Sequence, residues 1–237
     1  MPAHSQADPS IQNRLLTKLP PEELEQLRPH LNRVSLSHSQ SLIAPGTPIR
    51  NVYFPISALA SLVTVMEDGS TVESGAVGRE GMVGIPVLLE AGTTPMQTLV
   101  QIPGEAIEVK AEIIRAVFEK GGAFHSLVHR YIHALFVVAS QSAACNRLHQ
   151  IEQRLSRWLL MSSDGVGSNS IGLTQEYLAT MLGVRRAGVT EAALRLQDEG
   201  LIQYRRGQIE ILNRGALESR TCECYRVVRE EFDRLLG

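Results

Sequence analysis

Cysteine is scarce in this chain, with three in 237 residues, at positions 145, 222 and 224. Three thiols cannot build a disulfide framework, and the Cys222-x-Cys224 pair lacks the further ligands that a structural zinc or a four-cysteine iron–sulfur cluster would need. The expectation is therefore reduced thiols and no metal site. No uncharged apolar run reaches the roughly eighteen residues that a membrane-spanning helix requires. Met1 to Ser10 is polar and proline-bearing, without an apolar signal stretch, so neither secretion nor membrane insertion is expected and the cytoplasm is the implied location. Net charge is nearly missing too: 23 Lys and Arg against 25 Asp and Glu leave −2. That excludes a protein that coats polyanions by bulk positive charge. Nucleophile elbows, phosphate-cradling P-loops and zinc-protease helices are all absent, and the carboxylates are scattered, so an enzyme is not expected.

What the chain does contain is length enough for two domains and several strong local patterns. The clearest runs from Leu173 to Leu212. Leu173 and Leu178 can close a hydrophobic staple around an N-cap at Thr174, and Gln175 to Leu182 then forms a short helix, favoured by Glu176 in its first turn. Gly183 supplies the left-handed residue for a sharp turn, so a second helix can start near Arg185 and run to about Asp198, with Val189, Ala193 and Leu196 as its buried stripe. Beyond Gly200, Ile202 and Tyr204 alternate with polar residues, Arg206-Gly207 makes a turn, and Ile209 and Ile211 alternate again. Helix, tight turn, helix and small hairpin spell a winged helix-turn-helix, the architecture of a DNA reader.

From Gly183 to Arg206 five arginines stand against three acids, a local balance of only +2. A single reader of this kind neutralises few phosphates, so useful affinity calls for a two-fold partner. Arg185, Arg186 and Thr190 occupy the first turns of the second helix, the part that reaches base edges in this docking geometry. Arg186 can donate bidentately to guanine, and Glu191 can accept from cytosine N4 or repel phosphates. Thr174, Gln175 at the start of the first helix, Arg185 and, in the wing, Arg205 are candidates for positioning phosphates. Arg195 and Arg206 read as ordinary solvated or paired surface arginines.

A means of pairing lies between Gly122 and Asn146. Phe124, Val128, Tyr131, Leu135, Val138, Ser142 and Cys145 recur at alternating steps of four and three, the seam of a coiled coil, so the first six are the candidate dimerisation residues. The competing reading is an amphipathic helix packed on its own domain. His125, His129 and His133 fall on the outer face of this helix without a nearby acid or thiol to complete a metal site, and Cys145 reads as a packed small hydrophobe. Asn146 to Met161 continues as a further helix. Ser162 to Ser170 reads as a Gly/Ser/Asn loop, and the domain boundary is set near residue 147, giving units 1–147 and 148–237.

Upstream, Pro20-Pro21-Glu22-Glu23 resembles a proline-led helix start. Brief strand signals then follow at Val52–Phe54, Leu59–Met66, Thr71–Val77, Met82–Ile85, Thr98–Ile102 and Ala106–Val109, divided by turn residues, which means an antiparallel roll or barrel. Ala111 to Glu119 returns to helical spacing, and Arg214 to Leu236 is a last helix-like stretch with Leu217, Cys224, Val228, Phe232 and Leu235 on one side. The fold class is α+β: an N-terminal antiparallel β-roll, a long dimerisation helix over about 122–146, and a C-terminal winged helix-turn-helix.

In that order these parts resemble the Crp/Fnr family, the catabolite activator and fumarate–nitrate regulators. Leu173-Thr174-Gln175-Glu176, Gly183-Val184-Arg185-Arg186 and Asp198-Glu199-Gly200-Leu201-Ile202 carry the resemblance, together with the glycine spacing at 69, 75, 78, 81 and 84. It implies a cyclic-nucleotide-binding-like roll, a homodimeric transcription factor, a palindromic double-stranded DNA operator and RNA polymerase as a further partner. Two departures stand out. Cyclic-AMP-binding members carry a Gly-Glu pair and, about ten residues on, Arg-Ser or Arg-Thr; here the matching positions are Gly84-Ile85 and Met96-Gln97. No Lys or Arg lies between Arg79 and Lys110, so a phosphate there loses two charge-assisted hydrogen bonds of about 1.5–3 kcal/mol each, roughly two to four decades of affinity. Cyclic AMP in the usual mode is not expected. Nor is an iron–sulfur cluster of the fumarate–nitrate branch, because no cysteine precedes Cys145. In the reader, Ala187 and Glu191 stand where the family commonly has Glu and a second Arg. A ligand- or protein-docking module that keeps the fold without binding DNA is the alternative those two positions leave open.

Overall fold

The structure, a computed structural model, describes residues 12–237; the reading of Met1 to Ser10 lies outside them. The described chain opens on Asn13, a fully buried side chain whose carboxamide oxygen caps helix α1 (Arg14–Thr17) through the amides of Leu15 and Leu16. Its amide nitrogen donates to the carbonyls of Pro55 (2.9 Å) and Gly81 (2.8 Å), fixing this segment to the roll. Helix α2 (Pro21–Leu27) follows with proline at its first position, as the sequence implied.

The roll is antiparallel throughout. Strands β1 (Asn32–Leu36), β2 (Ser41–Ile43), β3 (Asn51–Pro55), β4 (Leu59–Val65), β5 (Thr71–Val77), β6 (Gln97–Ile102) and β7 (Gly104–Lys110) form one sheet in the order β1-β7-β3 and another in the order β2-β6-β4-β5. Leu36, Ile43, Tyr53, Ala58, Ala60, Val77, Val83, Val100 and Ala106 fill one core of the roll. Met82 to Ile85, expected as a strand, makes only a single bridge from Val83 to Tyr53. Gly84 sits at φ +107° and a short 3-10 turn over Ile85–Val87 carries Pro86, so the backbone leaves extended geometry there. Strands β1 and β2 were not individually foreseen, their alternation being too polar to signal burial.

The glycines of this region are set by close approach. A Cβ on Gly81 would run into the Tyr131 ring, and one on Gly78 would strike the backbone of Gly165, whose carbonyl accepts from the Arg79 amide at 2.8 Å. Gly165 therefore belongs to packed helix rather than to a loop. Helix α5 (Ile151–Val166) runs through most of the stretch read as Ser162–Ser170 loop and ends on Gly167 in the left-handed conformation.

Helix α3 (Ala111–Glu119) spans the residues expected of it, and α4 (Ala123–Leu148) is 26 residues long. Glu23 accepts from the amides of Ala123 (2.7 Å) and Phe124 (2.8 Å), satisfying donors that the helix start would otherwise leave open. The seam needs correction. Phe124, Val128, Tyr131 and Val138 are buried inside this chain, in one cluster with Met82, Ile114, Val228 and Phe232, and Leu135 packs against its edge. Ser142 is also buried and accepts from Arg157 at 2.9 Å. A heptad stripe reports that one face of a helix is covered without saying by which partner, and here the cover is the roll and the last helix.

The C-terminal stretch is two helices, α8 (Arg214–Arg220) and α9 (Glu223–Leu236), broken at Thr221–Cys222. Leu217 joins the core of the C-terminal unit, whereas Val228, Phe232, Leu235 and Leu236 pack against α4. The docking site that the sequence left open is thus α4 of the same chain.

Truncating the fully buried Phe124 or Tyr131 to alanine is expected to cost roughly 3–5 kcal/mol of folding stability. Urea unfolding should show the loss to be the same at every protein concentration; a loss confined to dilute samples would return these side chains to a subunit seam.

Candidate nucleic-acid interface

The C-terminal unit assembles on α5. Helix α6 (Gln175–Leu182) is capped by Thr174, whose hydroxyl accepts from the Tyr177 amide at 3.2 Å, and Leu173 and Leu178 are both buried, completing the staple. Gly183 is left-handed at φ +61°, and α7 (Arg186–Asp198) follows with Arg185 as its N-cap residue. Strands β9 (Ile202–Arg205) and β10 (Gln208–Ile211) are joined by Arg206-Gly207, both at positive φ, as a two-residue hairpin turn requires. A third strand, β8 (Ser170–Gly172), pairs with β10 on the other side.

Within α7 the buried side chains are Val189, Ala192, Ala193 and Leu196, which share a core with Leu155, Leu159, Leu178 and Ile209. That packing turns Arg185, Arg186, Ala187 and Glu191 outward, all exposed. The guanidinium of Arg186 lies 3.6 Å from Glu176 of α6, an exposed pair whose net value is about 0–1 kcal/mol and which a phosphate or base edge can displace. Arg195 pairs with Glu191 (3.2 Å) and Glu152 (3.4 Å), the paired surface role read for it. Arg185, Arg205 and Arg206 make no side-chain ion pair among the described residues.

Thr190 and Gln175 are joined to each other. The Thr190 hydroxyl donates to Gln175 Oε1 at 2.7 Å across the turn, so this pair holds the two helices at their crossing. Tyr204, read from the sequence only as part of the wing's alternation, does the same for the wing. Its hydroxyl donates to the Leu173 carbonyl (3.3 Å) and accepts from the Gln175 amide (3.1 Å), tying β9 to the start of α6. Its only sequence signal was a polar-tipped aromatic in a short edge strand.

The roll grips the back of this unit. Tyr177 of α6 packs on His38 with ring centroids 5.5 Å apart, and Trp158 Nε1 donates to Glu73 of β5 at 3.1 Å, while within the unit the Arg154 guanidinium of α5 donates to the Leu182 carbonyl. Ser61 lies 2.7 Å from the other Glu73 oxygen. Burial lifts the Glu73 carboxyl to about 7 despite those two hydrogen bonds and the charge of Arg157. Glu73 is therefore a titrating group at the junction of roll and reader.

A cavity of about 300 Å³ lies between the roll and α4, lined by Gly84, Ile85, Thr94, Met96, Phe136 and neighbouring apolar residues. Gly84, Ile85 and Met96, three of the four positions matched to the cyclic-AMP pairs, line it, and no charged side chain does. The row His125, His129 and His133 lies outside on α4: the first two rings stack on each other (4.3 Å) and on Phe118, and His133 pairs with Glu231 at 3.1 Å. The expectation for the cysteines is corrected here. Cys145 and His149 come within reach of Cys222 and Cys224, so the Cys-x-Cys pair does have further ligands nearby, supplied by residues far away in sequence.

Residues 153–220 match the Crp-like helix-turn-helix domain family. They form a Crp-like helix-turn-helix domain. No curated protein matches the chain in sequence. Among solved structures, FixK2 from Bradyrhizobium japonicum superposes with a TM-score of 0.67 at 14% identity, over 81% of this chain and 98% of its own. A Crp/Fnr-family transcriptional regulator from Thermus thermophilus gives 0.62 at 18% identity, over 79% and 97%. The c-di-GMP-responsive global regulator CLP from Xanthomonas campestris gives 0.59 at 18%, over 80% and 98%. The likeness is one of fold: roll, long helix and Crp-like domain stand in the same order. No helix among the described residues is long and apolar enough to cross a membrane.

Because the folded state raises Glu73 from an ordinary 4.5 to about 7, it binds this proton more tightly than the unfolded chain. The stabilisation is full below pH 4.5, shrinks as pH rises, and is gone above about 7, a span of roughly 3 kcal/mol. In thermal melts from pH 4.5 to 8, the difference between the parent and Glu73→Gln should follow this curve, and a pH-independent difference would contradict it.

Proposed function

We propose that this protein is a homodimeric, sequence-specific DNA-binding transcriptional regulator of the Crp/Fnr type that works without cyclic AMP held in the usual mode. The observation that carries the reading is the orientation of α7. Its apolar stripe is spent on α5 and α6, so Arg185, Arg186 and Glu191 project into solvent from the first turns of a helix set across α6, as entry into a major groove demands. Arg186 reads a guanine, Arg185 and Arg205 hold phosphates, and Thr174 presents the amides at the start of α6 to the backbone. Thr190 and Gln175 keep α7 at its angle through their shared hydrogen bond, and Glu191 excludes the family's commonest half-site.

Two copies pair along α4, on the face next to the buried seam. Phe136 is 70% exposed there, and Ile132, Ala139 and Ala143 continue its stripe at steps of four and three, one position round from the residues that pack inward. The uncharged roll cavity accounts for independence from cyclic AMP, since a buried phosphate in it would have no compensating cation.

An unbiased selection of bound DNA is the direct test. The expected product is a palindrome with half-sites about 10 base pairs apart, centre to centre. Arg186→Ala should weaken binding by about 10- to 100-fold and relax one position of each half-site, whereas Phe136→Glu should sediment as a single chain. A protein that selects no sequence at low salt, with or without Arg186, is the docking module instead.

A further inference from the structure

Three thiols and one imidazole meet where α4 ends and α9 begins. Cys145 lies in the last turn of α4, His149 is its C-cap residue, Cys222 is the N-cap residue of α9, and Cys224 sits in the first turn of α9. Their ligand atoms all lie within 4.8 Å of one another. Cys145 Sγ is 3.5 Å from Cys222 Sγ, and Cys224 Sγ is 3.6 Å from His149 Nδ1. Around one tetrahedral zinc ion, with sulfur at about 2.3 Å and nitrogen at about 2.0–2.1 Å, ligand atoms are separated by roughly 3.5–3.8 Å, so the four need to move by only a fraction of an ångström.

The surroundings suit a cation better than they suit packing. The three cysteines form a hydrophobic cluster of their own, separate from both large cores, so no apolar neighbour explains why sulfur gathers there. His149 turns its other nitrogen, Nε2, to the carboxylate of Glu223 at 3.3 Å. That contact fixes the tautomer with a proton on Nε2 and leaves the Nδ1 lone pair facing the thiols, the carboxylate–histidine–metal arrangement of built sites.

We propose that Cys145, His149, Cys222 and Cys224 bind one thiophilic divalent ion, zinc by their coordination chemistry, and that this ion clips the last helix to the α4–α5 junction. Four protein ligands close the coordination sphere, which makes the site structural or sensory and leaves no position for a substrate. Each thiol gives its proton to solvent as its sulfur binds the ion, and His149 contributes its neutral nitrogen without proton loss. The site spans the joint between the roll with its long helix and the Crp-like domain. Loading or losing the ion therefore changes how firmly α9 and the reader are held.

The full-length protein, purified under reductant and stripped of metal, should take up cobalt(II) at one ion per chain. The bound cobalt should show intense visible bands of tetrahedral coordination and near-ultraviolet thiolate charge transfer, both abolished by zinc. Glu223→Gln touches no ligand atom and should weaken zinc binding by about 10- to 100-fold. Cys222→Ser should remove the charge-transfer band while circular dichroism shows an intact helical fold, and zinc should protect the thiols of the parent from alkylation. Octahedral cobalt spectra, uptake that survives Cys222→Ser, or a Cys145–Cys222 disulfide forming in air with zinc unable to prevent it would each overturn the proposal.

Discussion

Burial of one stripe along α4 organises the rest of the molecule. Phe124, Val128, Tyr131 and Val138 face the roll and α9 at once, so a single helix is core for an N-terminal sheet and for the C-terminal end of the chain. Because that stripe is already covered, any surface α4 offers to another molecule must lie on a different side of the helix. The same packing fixes Gly81 beneath Tyr131 and leaves the roll cavity open beside Val138 and Phe136. It also brings the start of α9 to the end of α4, where the thiols meet.

The joint between the roll and the C-terminal unit combines apolar packing, with Leu59 and Ile102 in one core with Leu155 and Leu159, and polar contacts. Glu73, Ser61 and Trp158 meet there, and Gly78 and Gly165 touch backbone to backbone. Buried polar contacts are costly when unpaired and directional when paired, so such a joint has one good arrangement and is readily biased by a proton or an ion.

The cavity and α7 both differ from the residue pattern of the family that the sequence resembles. With Ile85 and Met96 where the cyclic-AMP binders of the resembled family carry glutamate and arginine, the cavity is lined without charge. On the proposed function, Glu191 at a position where the resembled family commonly has an arginine narrows what α7 tolerates, because a carboxylate near phosphate is repelled unless a base amine donates to it.

Much of the fold was legible because its signals are local. Capping residues, a left-handed Gly183 and period-two alternation place α6, α7 and the wing within a residue of where the sequence puts them, and α3 and β5 match to the residue. The exposed arginines of α7 followed directly, since the stripe Val189–Leu196 dictates which side faces out. What stayed hidden depends on partners distant in the chain. A heptad repeat shows that a stripe is covered but cannot name its cover, and Gly165 looks like loop glycine until Gly78 is placed against it. The Cys-x-Cys pair appears two ligands short until packing carries Cys145 across 77 residues to Cys222. Composition and period are properties of a segment and were fixed by the sequence alone; which segments touch is a property of the whole fold, and only the tertiary structure decided it.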